Sequence, residues 1–354
     1  MSTRQTWSSR LTYILTVAGA TIGFGATWRF PYLVGENGGG AYVLTFIAVM
    51  MLVGIPIILV ENVIGRRAQA NSVDAFALAG RAPGYSPSPL WKLFGYTGLL
   101  GAFGILAYYM VIGGWVISYI WHIFLGAAGV AGGLDLSSPI TKELTESFYS
   151  DTIEHSPFAI TCYTLVFVLI NWVILRKGVI QGIERSVKYL MPLLLLCLLI
   201  MVIRNLTLDD AAAGVSFYLT PDFSKITPRL FLDVLGQVFF ALSLGFGVMI
   251  TLSSHLNQKE DMVKSAGITG IINTLVAVMA GFMIFPSLFS ANLAPDSGPS
   301  LVFKSLPIAF SEMFLGNFFA IVFFLLLVIA ALTTSLTIYQ VIISVLVERL
   351  RISL

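Results

Sequence analysis

Long, mostly apolar runs recur along the whole sequence and are separated by short polar segments. A helix needs about 20 apolar residues to cross a bilayer, and backbone in lipid must satisfy its own hydrogen bonds. Only 11% of the residues are charged, whereas soluble domains are usually about one quarter charged. The sequence therefore predicts an all-α polytopic membrane protein, with residues 1–354 forming a single transmembrane domain. About 8 transmembrane helices are predicted, over residues 11–34, 41–64, 93–125, 158–175, 187–204, 231–254, 265–289 and 312–348.

The basic residues predict how the chain is oriented. Cytoplasmic loops of membrane proteins carry an excess of Lys and Arg. With the N-terminus inside, most of the 20 Lys and Arg residues fall on the cytoplasmic side, and the outer loop at 126–157 is acidic. We therefore expect both termini to be cytoplasmic, in an inner or plasma membrane. The formal net charge of +2 gives no indication of a nucleic-acid partner.

Residues 18–31, AGATIGFGATWRFP, interrupt the first span with three glycines and end in a charge and a proline. Each glycine in a helix interior costs roughly 1 kcal/mol relative to alanine. One interpretation is a helix broken near the bilayer middle, with freed carbonyls available to a cation and a half-helix N-terminus available to an anion. The other is a close-packing face, because Gly19 and Gly23 have the GxxxG spacing. This stretch alone leaves both interpretations open.

Residues 243–247, SLGFG, interrupt the sixth span in the same way. Two glycine-interrupted helices far apart in a chain indicate a binding site at the membrane midplane, between structural repeats. The pair of interruptions therefore favours broken first and sixth helices.

These segments and several others resemble the neurotransmitter:sodium symporter family over nearly the whole chain. The resemblance implies the LeuT-like fold, in which two inverted five-helix repeats hold substrate and sodium between the first and sixth helices. The first repeat would cover about residues 11–204, and an incomplete second repeat about 231–348. The motifs, in order, are Gly19–Pro31, ENGGG at 36–40, VGIP at 53–56 with Glu61 and Gly65-Arg66, Tyr108-Tyr109, GIER at 182–185, GQVFF at 236–240 with LSLGFG at 242–247, and TTS at 333–335.

The resemblance implies Na⁺ as the coupled ion, at up to two sites. The second sodium site would use the carbonyls of Gly19, Ile22 and Ala330 and the hydroxyls of Thr333 and Thr334. Such oxygen ligands suit a hard cation, although these hydroxyls could instead bond to their own helix.

The first sodium site departs from the family pattern. Asn273 matches and the Thr21 carbonyl remains, but Ala26 stands where the family usually has an asparagine, and Ala241 where it has a hydroxyl. The neighbouring chloride site keeps Gln237 but has Phe46, Ala241 and Ala277 in place of polar groups. An anion beside a buried cation offsets a charge that is costly to desolvate. We therefore expect both sites to be lost together, which leaves one sodium and no chloride.

The resemblance also implies a substrate pocket. The Tyr109 hydroxyl would hold a substrate carboxylate, unless Tyr109 is an ordinary interfacial tyrosine. Gly23 stands where monoamine carriers of the family have an acid, which favours an amino acid over a biogenic amine. The apolar pocket residues favour a neutral substrate with an apolar side chain of medium size. The implied lining residues are Ala20, Thr21, Gly25, Ile105, Tyr109, Phe240, Ser243, Phe246, Thr334 and Ile338.

Three charged residues match the gates of the family. Arg29 would close the outer side, and Arg4 would pair with Glu348 on the cytoplasmic side, although both inner charges could simply be solvated. Glu61, at the inner end of the second span, is expensive in lipid and is expected to be paired within the protein.

Two functions follow from these features. The first is sodium-coupled symport of a small-molecule amino acid by alternating access. The second is a truncated, non-transporting substrate-binding or sensing membrane protein, because the family normally has eleven or twelve spans. A natural fragment, a truncated gene, a further chain supplying the missing helices, and a shortened working protein all remain open. An enzyme is not expected, because the three histidines lie apart and no nucleophile–base pair occurs among the intramembrane residues.

Overall fold

The computed structural model describes residues 6–80, 86–177, 179–257, 259–295, 298 and 300–350. This part of the chain is helical throughout and contains no strand. The helices of the first half are α1 (Arg10–Thr21), α2 (Phe30–Glu36), α3 (Gly40–Val49), α4 (Ile55–Ala68), α5 (Ser72–Ala79), α6 (Lys92–Ala127), α7 (Lys142–Tyr149) and α8 (Pro157–Leu175). Those of the second half are α9 (Val179–Leu206), α10 (Ala211–Leu219), α11 (Pro228–Ala241), α12 (Val248–Ser253), α13 (Met262–Ser290), α14 (Leu306–Ser311) and α15 (Gly316–Leu350).

Six helical segments are long and apolar enough to cross a membrane, counted over the described residues. They are Gly40–Ala68, Pro89–Ala127, Pro157–Leu175, Ile180–Leu206, Met262–Ser290 and Gly316–Leu350. A seventh span results if Arg10–Thr21 and Gly25–Glu36, which are bent by 52°, are counted together. The run at 231–254 does not form one long helix, because α11 and α12 are separated by residues 242–247. The predicted all-α, multi-pass architecture is confirmed.

Helices α13 and α15 form the centre of the bundle. In the most apolar window of α15, 78% of the residues are buried, compared with 17% for α8. Helix α15 packs against α6, α9 and α1, while α13 packs against α10, α9 and α4. The polar residues Asn273, Thr333 and Thr334 are therefore carried on the two most buried of the long apolar helices and are themselves buried.

Both interrupted segments lie against this centre. Helix α1 packs against α15, α9 and α13, and its start is fixed by a capping box in which Ser9 and Thr12 bond to each other's backbone amides. Helix α12 packs against α4 and α15. The ends of α1, α11 and α12 thus surround a common region, which contains the candidate site.

Candidate substrate and sodium site

The first interruption lies between α1 and a short π-helical turn, Gly25–Arg29, that leads into α2. A Cβ atom built on Gly23 would lie 2.5 Å from both Oγ1 of Thr334 and the hydroxyl of Tyr109. A Cβ atom on Gly19 would lie 3.1 Å from Cβ of Thr333. The sequence left two interpretations open, a broken helix and a close-packing face. In the structure both features are present: α1 ends at this segment, and Gly19 and Gly23 pack closely against α15.

The second interruption, residues 242–247, has left-handed backbone at three positions. Ser243 has φ 53°, Gly245 has φ 81° and Gly247 has φ 78°. Glycine adopts this region without strain, whereas a serine there is uncommon. The Ser243 hydroxyl donates a hydrogen bond of 3.2 Å to the carbonyl of Ala20. The two interruptions are therefore in direct contact.

Four carbonyls at the first interruption accept hydrogen bonds from side chains of different elements. Gly19, Ala20 and Thr21 belong to the last turn of α1, where carbonyls have no partner within the helix and are available for such contacts. The Gly25 carbonyl also accepts from the amide of Phe30 in the π-helical turn. The donors are Thr334 to Gly19 O at 3.0 Å, Ser243 to Ala20 O at 3.2 Å, Asn273 to Thr21 O at 2.9 Å and Gln237 to Gly25 O at 2.7 Å. Donors from α15, the second interruption, α13 and α11 thus converge on one short stretch of backbone.

The structure brings most of the residues expected at the second sodium site together. The Thr334 hydroxyl reaches Gly19 on α1, whereas the Thr333 hydroxyl donates to Ile329 O and Ala330 O of its own helix at 3.0 and 3.1 Å. The hydroxyl bonding within the helix that the sequence left open is therefore present at Thr333. Ile22 is fully buried at the C-cap of α1, so its carbonyl follows the last helical turn.

At the expected first sodium site, Asn273 is fully buried and donates its amide to Thr21 O. Its Oδ1 atom has no hydrogen-bond partner among the described residues. Ala26 and Ala241 are buried and offer no side-chain oxygen. Of the oxygens expected at this site, Oδ1 of Asn273 and the carbonyl of Thr21 therefore remain.

The expected pocket residues line a small cavity of about 10 Å³. Seven of the ten take part, whereas Ala20, Thr21 and Gly25 do not line it. The lining residues are Ala102, Ile105, Tyr109, Phe240, Ser243, Phe246, Val248, Thr334 and Ile338. A volume of about 10–15 Å³ holds one water molecule, so the pocket is closed around less than an amino acid.

Sequence reasoning missed two residues that line this cavity. Ala102 lies one helical turn before Ile105, so the 3.6-residue period of α6 could have identified it. Val248 is the first residue of α12, directly after the second interruption. No pattern in the sequence marks it.

A larger cavity of about 310 Å³ lies next to the closed pocket and shares Ile105 and Phe240 with it. Its other lining residues are Phe24, Trp28, Arg29, Tyr32, Gly104, Tyr108 and Gly298. Small-molecule sites usually have about 300–1,000 Å³. A substrate-sized space is therefore separated from the inner pocket by the side chains of Ile105 and Phe240.

Arg29, the expected outer gate, lies in the wall of the larger cavity. Its Nη1 atom donates to Oε1 of Gln237 at 2.8 Å, and its guanidinium lies 5.0 Å from the centre of the Phe240 ring. Within the part of the chain that the structure describes, Arg29 thus links the ring of Phe240 to the side chain of Gln237.

At the expected inner gate, Arg4 lies outside the described residues, so the expected Arg4–Glu348 pair is not described. Oε2 of Glu348 accepts hydrogen bonds of 2.9 Å from both the amide and the side chain of Asn71. These bonds hold the start of α5 against the end of α15.

Sequence reasoning missed Asp74 on α5, which contacts Lys92 at 2.9 Å and Arg349 at 2.8 Å. Although partial burial acts to raise its pKa, the hydrogen bonds from Arg349 and Lys92 lower the pKa of Asp74 well below the ordinary value. Asp74 thus ties α5 to α6 and α15. The sequence alone did not indicate this role of Asp74, because Lys92 and Arg349 come close to it only in the folded chain.

Interrupted helices with converging polar groups, buried inside a bundle of membrane-spanning helices, define a membrane transporter. Residues 4–128 and 148–354 match the sequence pattern of the Sodium:neurotransmitter symporter family. The chain therefore belongs to that family, and the family resemblance is confirmed.

Individual relatives agree with this assignment. The chain is 65% identical over 348 residues to an uncharacterized sodium-dependent transporter of Haemophilus influenzae, covering 98% of this chain and 75% of the relative. It is 36% identical over 338 residues to the uncharacterized sodium-dependent transporter YhdH of Bacillus subtilis, covering 96% and 71%. The crystal structure of MhsT in complex with L-phenylalanine matches with a TM-score of 0.85 and 36% identity, covering 99% of this chain and 76% of that one. The chain is thus a sodium-dependent transporter of this family, and its relatives are transporters rather than enzymes.

Proposed function

We propose that this chain is a sodium-coupled symporter of a neutral amino acid with an apolar side chain. The observation that carries this proposal is the convergence of four side-chain donors on the carbonyls of Gly19, Ala20, Thr21 and Gly25. Carbonyls freed at a helix interruption are ligands for Na⁺, and the half-helix that follows presents amides to a carboxylate. The similar structure of MhsT holds L-phenylalanine, which supports an apolar amino acid.

The groups around the Tyr109 hydroxyl are suited to binding the carboxylate of such a substrate. The Tyr109 hydroxyl is buried beside the amides of Phe24 and Gly25 and the hydroxyl of Thr334. A carboxylate there would meet a hydroxyl and two amide donors, which is a favourable arrangement for an anion. Gly23 leaves no acid to pair with a bare amine. The remaining walls are apolar, which suits a neutral side chain.

The closed cavity implies that binding requires side chains to move. Phe240 borders both cavities, and Phe246 packs beside Gly101, so these two rings occupy the space that a substrate side chain needs. We propose that the substrate enters from the larger cavity past Phe240, and that the two rings then repack around it. Alternating access would carry it to the other side of the membrane.

We propose that one sodium ion is coupled, at the second site. Gly19, Ala330, Thr333 and Thr334 supply carbonyl and hydroxyl oxygens from α1 and α15, and such a set suits a hard cation. At the first site, two of the expected oxygens remain, Oδ1 of Asn273 and the carbonyl of Thr21, and the amide of Asn273 bonds to that carbonyl. The absence of oxygens on Ala26 and Ala241 supports the same proposal.

Chloride independence follows from the same residues. The amide group of Gln237 is engaged at both ends, by Gly25 O and by Arg29. Phe46, Ala241 and Ala277 are buried and apolar. An anion placed there would be desolvated without donors to replace its water, which is unfavourable.

One sodium is energetically sufficient for substantial accumulation. A charge moving through 100 mV releases about 2.3 kcal/mol, and a tenfold sodium gradient adds about 1.4 kcal/mol. Together these terms support roughly 10²–10³-fold accumulation of a neutral solute, because each 1.4 kcal/mol is a factor of ten. We place the chain in an inner or plasma membrane, with both termini cytoplasmic, as the basic residues predict.

The test is uptake of radiolabelled L-phenylalanine into proteoliposomes that contain only this chain, measured against external sodium concentration. We expect sodium-dependent uptake with a Hill coefficient near one. A Hill coefficient near two would contradict the single site. Sodium-dependent binding in detergent without any uptake would identify a binding protein instead of a transporter.

A further inference from the structure

Glu61 on α4 is a buried acid that the proposed sodium and substrate sites do not use. Its side chain is only 8% exposed. Oε1 accepts a hydrogen bond of 2.8 Å from the amide of Gly245 in the second interruption. Oε2 is buried and has no hydrogen-bond partner among the described residues. Glu61 is therefore paired within the protein, as expected, and its described partner is one backbone amide, that of Gly245.

No basic side chain neutralises Glu61 within the part of the chain that the structure describes. Helices α12, α5 and α13 pack against α4. Helix α12 carries no charged residue, α5 carries only Asp74, which contacts Lys92 and Arg349, and α13 carries only Lys264, which is exposed.

The titratable groups beside Glu61 on its own helix and on α1 are also engaged elsewhere. On α4 itself, Arg66 donates to Glu260 O, and Arg67 lies in the last turn at the cytoplasmic end. From α1, the hydroxyl of Tyr13 bonds to Asn62 rather than to Glu61.

An ionised carboxylate removed from water requires a counter-charge or several hydrogen-bond donors. One amide donor is not enough, whereas a protonated carboxyl group has no charge to neutralise. We propose that Glu61 is a proton-binding site: Oε2 takes a proton from bulk water when the protein adopts this conformation, and returns it when the carboxyl becomes exposed. No other group changes its charge in this step.

The site is connected to the substrate pocket through the second interruption. Gly245 lies two residues from Ser243, which lines the small cavity and bonds to Ala20 O. Glu61 holds the amide of Gly245 at 2.8 Å, and Ser243 holds Ala20 O at 3.2 Å, so a shift of this short segment changes both bonds. Proton binding at Glu61 and ligand binding at the pocket therefore favour the same conformation, and such coupling is reciprocal. This coupling, unlike the proton site itself, rests on the proposed function.

A hard cation is the competing ligand for Glu61. Ser72 and Thr251 also have buried hydroxyls without a described partner. Oγ of Ser72 lies 3.0 Å from a Cβ atom built on Gly247, and Thr251 follows Gly247 by one helical turn. We favour the proton because it removes the negative charge of Glu61, so that the buried group no longer requires a counter-charge. The experiments below separate the two ligands.

The first experiment is infrared spectroscopy of the purified protein in detergent at pH 7. We expect a carboxylic-acid C=O stretching band that Glu61→Gln removes and Glu61→Asp shifts. The matched control, Glu36→Gln, removes an exposed carboxyl and is expected to leave the band unchanged. Glutamine keeps an acceptor for the Gly245 amide, so the variant should fold, as size-exclusion chromatography will show. A wild-type protein without a band assigned to Glu61 would overturn the proposal.

The second experiment measures sodium-dependent L-phenylalanine binding between pH 5 and pH 9, with a pH indicator in weak buffer. Above the titration range of the carboxyl, we expect wild-type affinity to fall up to about tenfold per pH unit, with uptake of about one proton per substrate bound. Glu61→Gln should change less than about twofold and take up no proton. A lower sodium stoichiometry in Glu61→Gln would identify a sodium ligand and overturn the proton site. No binding by wild type would refute the proposed function, while the infrared result would still stand.

Discussion

Substitution of Gly23 by alanine should disable substrate and sodium binding together. The added Cβ atom would lie 2.5 Å from Oγ1 of Thr334 and 2.5 Å from the Tyr109 hydroxyl, about 1 Å inside ordinary contact distance. Tyr109 is 3% exposed and Thr334 bonds to Gly19 O, so neither oxygen can withdraw freely. One of them, or the first interruption itself, must move.

The size of the effect follows from overpacking. One extra methyl group in a packed interior costs about 1–3 kcal/mol. Because each 1.4 kcal/mol is a tenfold change in affinity, the dissociation constant for L-phenylalanine should rise about five- to 150-fold. Thermal stability measured without ligand should fall by a comparable free energy, because the strain is present in the empty protein as well.

The assay is equilibrium binding of radiolabelled L-phenylalanine at saturating sodium, together with thermal unfolding. The control is Gly267→Ala on α13, where an added Cβ atom meets nothing within 4 Å. That variant should bind normally and unfold at the same or a higher temperature, because alanine is the better helix former. Wild-type affinity in Gly23→Ala, or equal losses in both variants, would refute the placement of the site between Gly23, Tyr109 and Thr334.

Three further predictions test the ion sites and the cytoplasmic contacts. Thr333→Ala should abolish sodium-dependent binding of L-phenylalanine, whereas Asn273→Ala should leave the sodium Hill coefficient near one; a strong loss of sodium dependence in Asn273→Ala would indicate a working first site. Replacing chloride by gluconate should leave uptake into proteoliposomes unchanged, and a loss of uptake would contradict the paired loss of the two sites. Asp74→Asn should lower thermal stability at pH 7 by about 1 kcal/mol, because half-exposed ion pairs contribute little more. Because the pKa of Asp74 is lowered, the stability that Asp74 contributes is fully present above the ordinary aspartate range and is lost as the pH falls through the lowered pKa. The difference in stability between wild type and Asp74→Asn should therefore disappear in acid. A difference that stays constant with pH would contradict the ion pair.

The long helices could be predicted from local patterns, and the glycine-interrupted runs indicated where to place the candidate site. Apolar runs located the long helices because a bilayer-crossing helix must satisfy its backbone internally. Glycines in two of those runs located the interruptions, and the structure places Ser243 on one of them against Ala20 on the other. These predictions depend on residues near each other in the sequence, or on a match to known motifs.

Individual contacts could not be predicted, because each depends on a partner far away in the sequence. Arg29 bonds to Gln237, 208 residues away, and Asp74 contacts Arg349, 275 residues away. The sequence likewise left open whether Thr333 bonds to its own helix, since both arrangements are compatible with a threonine on α15. The volume of the pocket depends on the orientation of Phe240 and Phe246, which reflects the conformational state rather than composition.

The closed pocket has a consequence for how selectivity should be measured. A protein whose binding-competent state is a fraction of the population has an apparent dissociation constant equal to the intrinsic one divided by that fraction. The inner cavity has about 10 Å³ and the outer one about 310 Å³. Under the proposed function, each amino acid must displace Phe240 and Phe246 before it makes its own contacts. Differences in affinity between substrates will therefore combine their fit to the open pocket with a shared penalty for opening it, and a variant that opens the pocket should tighten all of them by the same factor.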